Sequence, residues 1–247
     1  MKRKNILWSM LLIAGIALAS CTKNDDTTST STTDDVADII ATAVSSDNSG
    51  LTEEMTAIVS FSVTTQSSGL KSTSADTVFA HDTTFMWQNQ NGATYSYQYT
   101  YRAKYGYIYS YSGPDTLFYN ADASGNFDGL RLGCTETRQS EWKVTGFEAT
   151  ELQYMLNGST TRSADSQSKI RNKNQVKSTS TIKLNNVAID KSTKQVKSGT
   201  LDWEISGTVN GESFQYMAQI TYQGDGMAQL AMNGKVYTLN LSSGQVE

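Results

Sequence analysis

Residues 201–241 read LDWEISGTVNGESFQYMAQITYQGDGMAQLAMNGKVYTLNL, and this stretch decides the fold. Leu201, Trp203, Ile205 and Val209 share one parity among polar neighbours. Phe214, Tyr216, Ile220 and Tyr222 repeat the pattern, followed by Leu230 with Met232, then Tyr237, Leu239 and Leu241. Successive side chains on a strand point to opposite faces, so a period of two marks strands with one apolar face. Between the runs lie Asn210-Gly211, Gly224-Asp225-Gly226 and Asn233-Gly234. Asn-Gly supplies the positive φ that a tight hairpin turn needs at both central residues. The tail therefore predicts four consecutive strands in an antiparallel meander.

Upstream, Ile182, Leu184 and Ile189 precede a turn at Asp190–Lys194 and extend the same sheet. No βαβ unit recurs and no segment is long enough for crossover helices, which argues against a parallel sheet. Further upstream, eight of the 13 tyrosines crowd into residues 95–111. Tyr95, Tyr97, Tyr99 and Tyr101 alternate with polar residues, and Tyr105, Tyr107, Tyr109 and Tyr111 follow after Arg102-Ala103-Lys104. A turn at Ala103-Lys104 would set the two groups face to face across a hairpin. Asn91-Gly92 should lead back to a strand carrying Phe85 and Trp87, and Gly113-Pro114 should close the far end, with the single proline in a turn. Two roles are open to this ladder. Aromatic faces stack on sugars or apolar ligands, and the hydroxyls add hydrogen bonds. Equally, tyrosines at cross-strand positions can form the core face of the sheet. A tyrosine face is wetter than a leucine face and suits an open barrel.

Ahead of the strands, Asp34 or Asp35 can cap a helix whose apolar face is Val36, Ile39, Ile40, Ala43 and Val44. Asp47-Asn48-Ser49-Gly50 ends it. Thr52 caps a second short helix, with Glu53 and Glu54 in its first turn and Met55, Ile58 and Val59 inward. Two narrow stripes make no core of their own, so both helices need the sheet as partner. Ser62 to Asp76 is rich in Ser and Thr and reads as a loop.

The chain opens with Lys2, Arg3 and Lys4, then an apolar run from Ile6 to Ala19 broken only by Ser9. This is the layout of an export signal, too short to remain as a membrane span. Leu18-Ala19-Ser20-Cys21 resembles the lipobox of bacterial lipoprotein precursors. That resemblance implies cleavage before Cys21 and diacylation of its thiol. Multiple acyl chains anchor stably where one is marginal. Thr22 to Asp35 carries no apolar side chain and reads as a flexible tether. Lys23, Asp25 and Asp26 are similar to the signal that sends Bacteroidota lipoproteins to the outside of the outer membrane, with Asn24 interrupting the match. The chain as a whole resembles lipoproteins of that group, which implies outer-membrane attachment and no assigned chemistry.

Charge and composition exclude several classes. Among 247 residues, 24 acids against 20 bases give a net charge of −4, and removal of three leader cations makes it more negative. Nucleic-acid binding is not expected. One histidine, His81, and two cysteines cannot build a His/Cys zinc cage or a disulfide framework. With Cys21 acylated, Cys134 is left as either a buried inert thiol or an intermolecular bridge. Asn120, Asp122, Ser124, Asn126 and Asp128 alternate around Gly125 like a calcium loop, yet Arg131 and Gly133 stand where a bidentate acid belongs, so a polar hairpin loop is the preferred reading. Lys169, Arg171, Lys173 and Lys177 form a basic cluster in the polar stretch Ser166–Ser180, expected to be a solvated face. His81 beside Asp82 lacks a nucleophile motif, and Asp115, Asp128, Glu141 and Glu148 are acids without a stated geometry.

The expectation is a mainly β protein: an antiparallel meander forming a curved sheet or open barrel, with two short N-terminal helices packed on it. Its parts are a lipoprotein signal at residues 1–20, an anchored linker at 21–34, helices at 35–61, a loop at 62–76 and the β domain at 77–247. The expected function is non-enzymatic and without cofactor or metal. It is a lipid-anchored scaffold on the outer membrane, facing the cell exterior, that holds an apolar small molecule or glycan on the eight tyrosines. The alternatives are a periplasmic orientation and a structural protein contacting another envelope protein.

Overall fold

Alternation of apolar and polar residues carries through to the computed structural model, which describes residues 26–66, 78–90, 94–110, 113–170 and 173–246. Two helices, α1 (Asp26–Val44) and α2 (Leu51–Gln66), precede eleven strands. The strands are β1 (Val78–Asn89), β2 (Ser96–Ser110), β3 (Gly113–Asp128), β4 (Leu132–Thr145), β5 (Gln153–Ser168) and β6 (Gln175–Asp190). They continue as β7 (Val196–Val209), β8 (Glu212–Gly224), β9 (Met227–Met232), β10 (Lys235–Asn240) and β11 (Gln245–Val246). Their order in space is their order in sequence, every pair is antiparallel, and β1 and β11 are the two edges. This is the open, curved meander that the tail pattern predicts, with both helices packed on one face.

The turns follow their residues. Asn210 and Gly211 sit at φ 50° and 93°, and Asn233 and Gly234 at 50° and 74°, as a two-residue hairpin of this hand demands. Asp190 ends β6 and accepts bonds from the backbone N–H groups of Ser192 (2.9 Å) and Thr193 (2.8 Å), closing the expected turn before Val196. Bulges at Leu156/Gly158 and Asn185/Ala188 bend long strands and increase the local twist.

The inner face carries one main apolar core with two smaller clusters beside it. Trp203, Ile182, Leu184, Leu201, Ile220 and Leu230 are fully buried, and the helical residues Val36, Ile40, Val44, Met55 and Val59 close over them. Polar residues tether α1 as well. Lys235 Nζ and the Tyr237 hydroxyl lie 3.1 and 2.8 Å from Asp34 Oδ1, and the hydroxyl donates there. Asn174 Nδ2 donates to Asp35, and Arg131 pairs with Asp38 at 2.8 Å.

Several local expectations are corrected. The chain does not turn at Ala103-Lys104. Ala103 keeps the odd parity of the tyrosines and pairs with Thr83 and Ala121, so β2 runs straight through. Pro114 stands inside the start of β3, where a bulge at Ile108/Tyr109 accommodates its missing N–H, rather than in a turn. Asp34 and Asp35 lie within α1 instead of capping it. Their partners on the sheet outweigh weak Ser/Thr propensity, so helix occupies part of the expected linker. Likewise α2 extends to Gln66, into the expected loop. Asn120 to Asp128 is the second half of β3 and no loop. Ser166–Ser180 is largely strand, with a short connection in which Lys169 pairs with Asp128 while Lys177 pairs with Asp165 from β6. Cys21, Lys23, Asp25, Asn91-Gly92, Tyr111 and Arg171 lie outside the described residues.

Candidate functional site

Strand register brings side chains from distant positions into rows across the inner face. One row runs Trp87, Tyr99, Gly125, Glu136, Ala164 and Ser178. The next runs Phe85, Tyr101, Ala123, Arg138, Arg162 and Ser180. The small residues of β3 matter here. Without side-chain bulk at Gly125 and Ala123, the rings of β2 lie across β3 and their hydroxyls reach β4. Tyr99 OH donates to Glu136 Oε1 at 3.2 Å, and Arg138 Nη2 donates to Tyr101 OH. A Cβ on Gly125 would stand 2.5 Å from Tyr99 Cδ1.

Around these hydroxyls lies a buried ionic network. Arg138 Nε is 3.3 Å from Glu136 Oε1, its Nη1 is 3.6 Å from Glu54 Oε2, and its Nη2 donates to the Ser49 carbonyl at 2.8 Å. Its guanidinium carbon stands 5.2 and 5.7 Å from the ring centres of Tyr99 and Tyr101. Arg162 donates to Glu136 Oε2 through Nε and pairs with it through Nη2. Burial alone would raise the Glu136 pKa, but Arg162 and Arg138 outweigh it and hold the carboxyl below its ordinary range. Glu54 shows the opposite balance. Burial pushes its carboxyl up, and Arg138, Ser140 and Tyr119 only partly oppose this. Tyr119 OH donates to Glu54 Oε1 at 3.2 Å, while Oε2 has no hydrogen-bond partner.

Glu54 also belongs to a cleft of about 160 Å³ where α2 crosses the first strands. Ala57 and Ile58 of α2 form one wall. Thr83, Phe85 and Trp87 of β1, Ala103 and Tyr105 of β2, and Tyr119 of β3 form the others. Among the described residues, the lining thus holds four aromatic rings, one acid and no basic residue. Phe85 and Trp87 are half-buried, with ring centres 5.3 Å apart, and Phe85 stacks on Tyr101 at 5.1 Å.

The eight tyrosines of the sequence reading divide. Tyr99, Tyr101 and Tyr107 are buried in the core, and Tyr95, Tyr97, Tyr105 and Tyr109 are half-buried on the same face. Tyr105 is the described member that lines the cleft. Glu54 and Tyr119 complete that lining although the sequence reading gave neither a ligand role. Parity was the available signal, since Tyr119 continues the inner face of β3 through Leu117, Ala121 and Ala123. Glu136, Arg138 and Arg162 were missed for a related reason: charged residues at alternate positions read as solvent-facing. Cys134, Glu136, Arg138, Ser140, Trp142 and Val144 nonetheless share one parity, and all are buried.

The catalytic candidates do not converge. Asp115 and Asp128 are exposed near opposite ends of β3, Glu141 is exposed on β4 and Glu148 in the connection after it, and His81 pairs through its backbone with Tyr105, away from β4. Cys134 is a free, buried thiol whose pKa burial pushes up, and Ser166 Oγ donates to its sulfur at 3.3 Å. Among the described residues, no group of three or more His, Cys, Asp and Glu is placed to hold a metal.

The opposite face of the sheet is polar. Thr100, Ser124, Thr137, Ser163, Thr179 and Ser206 form a row of hydroxyls across six adjacent strands. The curvature makes a trough of about 740 Å³ over this row, with Arg102, Asp122 and Glu204 at its sides. Comparison with protein-family models, curated proteins and solved structures returns no match.

Proposed function

We propose that this chain is a non-enzymatic binding protein, lipid-anchored through Cys21 to the outer membrane and facing the exterior, which holds a small apolar ligand between α2 and the first three strands. The observation that carries this reading is the aromatic cleft. A cavity of about 150 Å³ lined by apolar residues accepts a benzene-sized guest, and this cleft has comparable room, with Phe85, Trp87, Tyr105 and Tyr119 as walls. Such concave, mostly apolar sites with one orienting polar group are the usual form of small-molecule sites. Leu18 to Cys21 and the residues after it support the anchor and the address.

The test uses the full chain in mild detergent, titrated calorimetrically with a neutral probe of matching size, ethanol bearing a tert-butyl group on its second carbon. Saturable binding is expected, and Ala57→Phe, which fills the mouth of the cleft from the half-exposed face of α2, should abolish it. Binding unaffected by Ala57→Phe, or none in the parent protein, rejects the cleft as the site. Labelled palmitate should enter the parent chain and not Cys21→Ala.

A second reading, a glycan ligand, is favoured by the hydroxyl row on the outer face. Neutral saccharides match a surface of hydroxyls and amides that carries both charge signs. Loss of saccharide binding in Thr137→Val with Thr179→Val, with cleft binding intact, would assign it there.

A further inference from the structure

Building on the cleft as a ligand site, we infer that its ligand is an organic cation of the alkylammonium class, held between the faces of Phe85, Trp87 and Tyr105 and the carboxylate of Glu54. The composition of the lining selects this charge. Aromatic faces present negative quadrupoles, and a cation within about 6 Å of a ring centre is attracted to them. Among the described residues the cleft gathers four such rings and one acid, and no lysine or arginine in that lining repels a cation.

The acid is available electrostatically. Glu136 accepts from Arg162 and Tyr99 and pairs with Arg138, so the main counter-charge of both guanidiniums lies on β4. Glu54 Oε1 accepts from Tyr119, its ion pair to Arg138 Nη1 spans 3.6 Å, and its Oε2 is buried without a hydrogen-bond partner among the described residues. A buried carboxylate in that state gains from a second cation delivered from the cleft that Glu54 lines. Size agrees with the charge argument. A trimethylammonium group with a short substituent fits about 160 Å³, whereas a long acyl chain does not. The neutral aromatic rings alone would accept any compact apolar group. Glu54 adds to the aromatic quadrupoles the larger part of the site's discrimination between a cation and its uncharged isostere.

Choline and the neutral alcohol in which tert-butyl replaces its trimethylammonium group form a matched pair. Both are titrated into the full-length protein, the parent and Glu54→Gln, with cooperative unfolding checked for each. Choline is expected to bind about tenfold or more tighter than the alcohol in the parent, and Glu54→Gln should bring the two within about twofold. Gln retains the acceptor for Tyr119, so a folded variant is expected. If Glu54→Gln does not fold, Phe85→Leu with Trp87→Leu serves instead and should lower choline affinity more than that of the alcohol. Equal affinities in the parent protein, or a preference that survives whichever substitution folds, overturn the cation assignment and leave the cleft reading standing. If neither probe binds, both readings are overturned.

Discussion

Two glutamates buried in one network respond to solvent in opposite directions. Glu136 lies between two guanidiniums, and its folded-state pKa is below its unfolded value. Its contribution to stability is therefore present above about 4.5 and is lost as pH falls through the lower folded value. Glu54 has its pKa raised by burial, so its contribution is full below its unfolded value and is lost as pH rises through the folded one. Urea midpoints measured at pH 5 and pH 8 should show this as a fall in stability on the alkaline side. Glu54→Gln, which cannot ionise, should reduce that fall; an unchanged difference would place the titrating group elsewhere. The network itself is no simple gain in stability, because removing charges from water costs several kcal/mol per ion before pairing offsets it. Deleting one member is costly, since it strands its partner in the core.

Among the elements, β3 has an unusual task. Its outer residues Asn120, Asp122, Ser124 and Asn126 are polar, and its inner residues Ala121, Ala123 and Gly125 are small. The strand acts as a low saddle over which the rings of β2 pass to reach β4. Gly125→Ala places a methyl against the Tyr99 ring and the Gln98 carbonyl, where an added Cβ would stand 2.5 and 2.2 Å away. Overpacking of this kind costs about 1–3 kcal/mol. Urea unfolding should show that loss, and the Tyr99 hydroxyl should leave Glu136. A neutral outcome would mean that β2 shifts freely over β3. Neighbouring β4 carries the same lesson in reverse: its inner side is charged, so burial there had to be met by partners on β2, β5 and α2.

Across the described molecule, one sheet bears a main core and two smaller apolar clusters on its inner face, and two helices supply the second layer. The inner face bears Trp203, Ile182, Leu201, Ile220 and Leu230, all fully buried beneath α1 and α2 or their neighbours. A chain restricted to residues 78–247 is expected to lack cooperative unfolding or to aggregate, because that face would meet water. A sharp urea transition for such a fragment would show that the sheet curls enough to bury itself. The open ends matter for association too. Among the described residues, β1 is a long edge strand paired with β2 alone, and an unpaired edge can accept another strand.

The amino-acid sequence by itself determined the strand type, the antiparallel order of the tail and the apolar stripes of both helices. These depend on local rules: a period of two, a period of 3.6 and the positive φ of Asn-Gly turns. It also set the parity by which Tyr99, Tyr101 and Tyr105 share a face. Tertiary structure alone decided that β2 crosses Ala103 without turning, because Thr83 and Ala121 pair with that residue from either side. It alone decided that Glu136, Arg138 and Arg162 go inward, and that Glu54, Phe85, Trp87 and Tyr119 converge. A charged residue has no local signature of burial; its place depends on whether a partner of opposite charge arrives from elsewhere in the chain. Here Glu54 arrives from a helix more than eighty residues before Arg138, and only the folded sheet brings the two within reach.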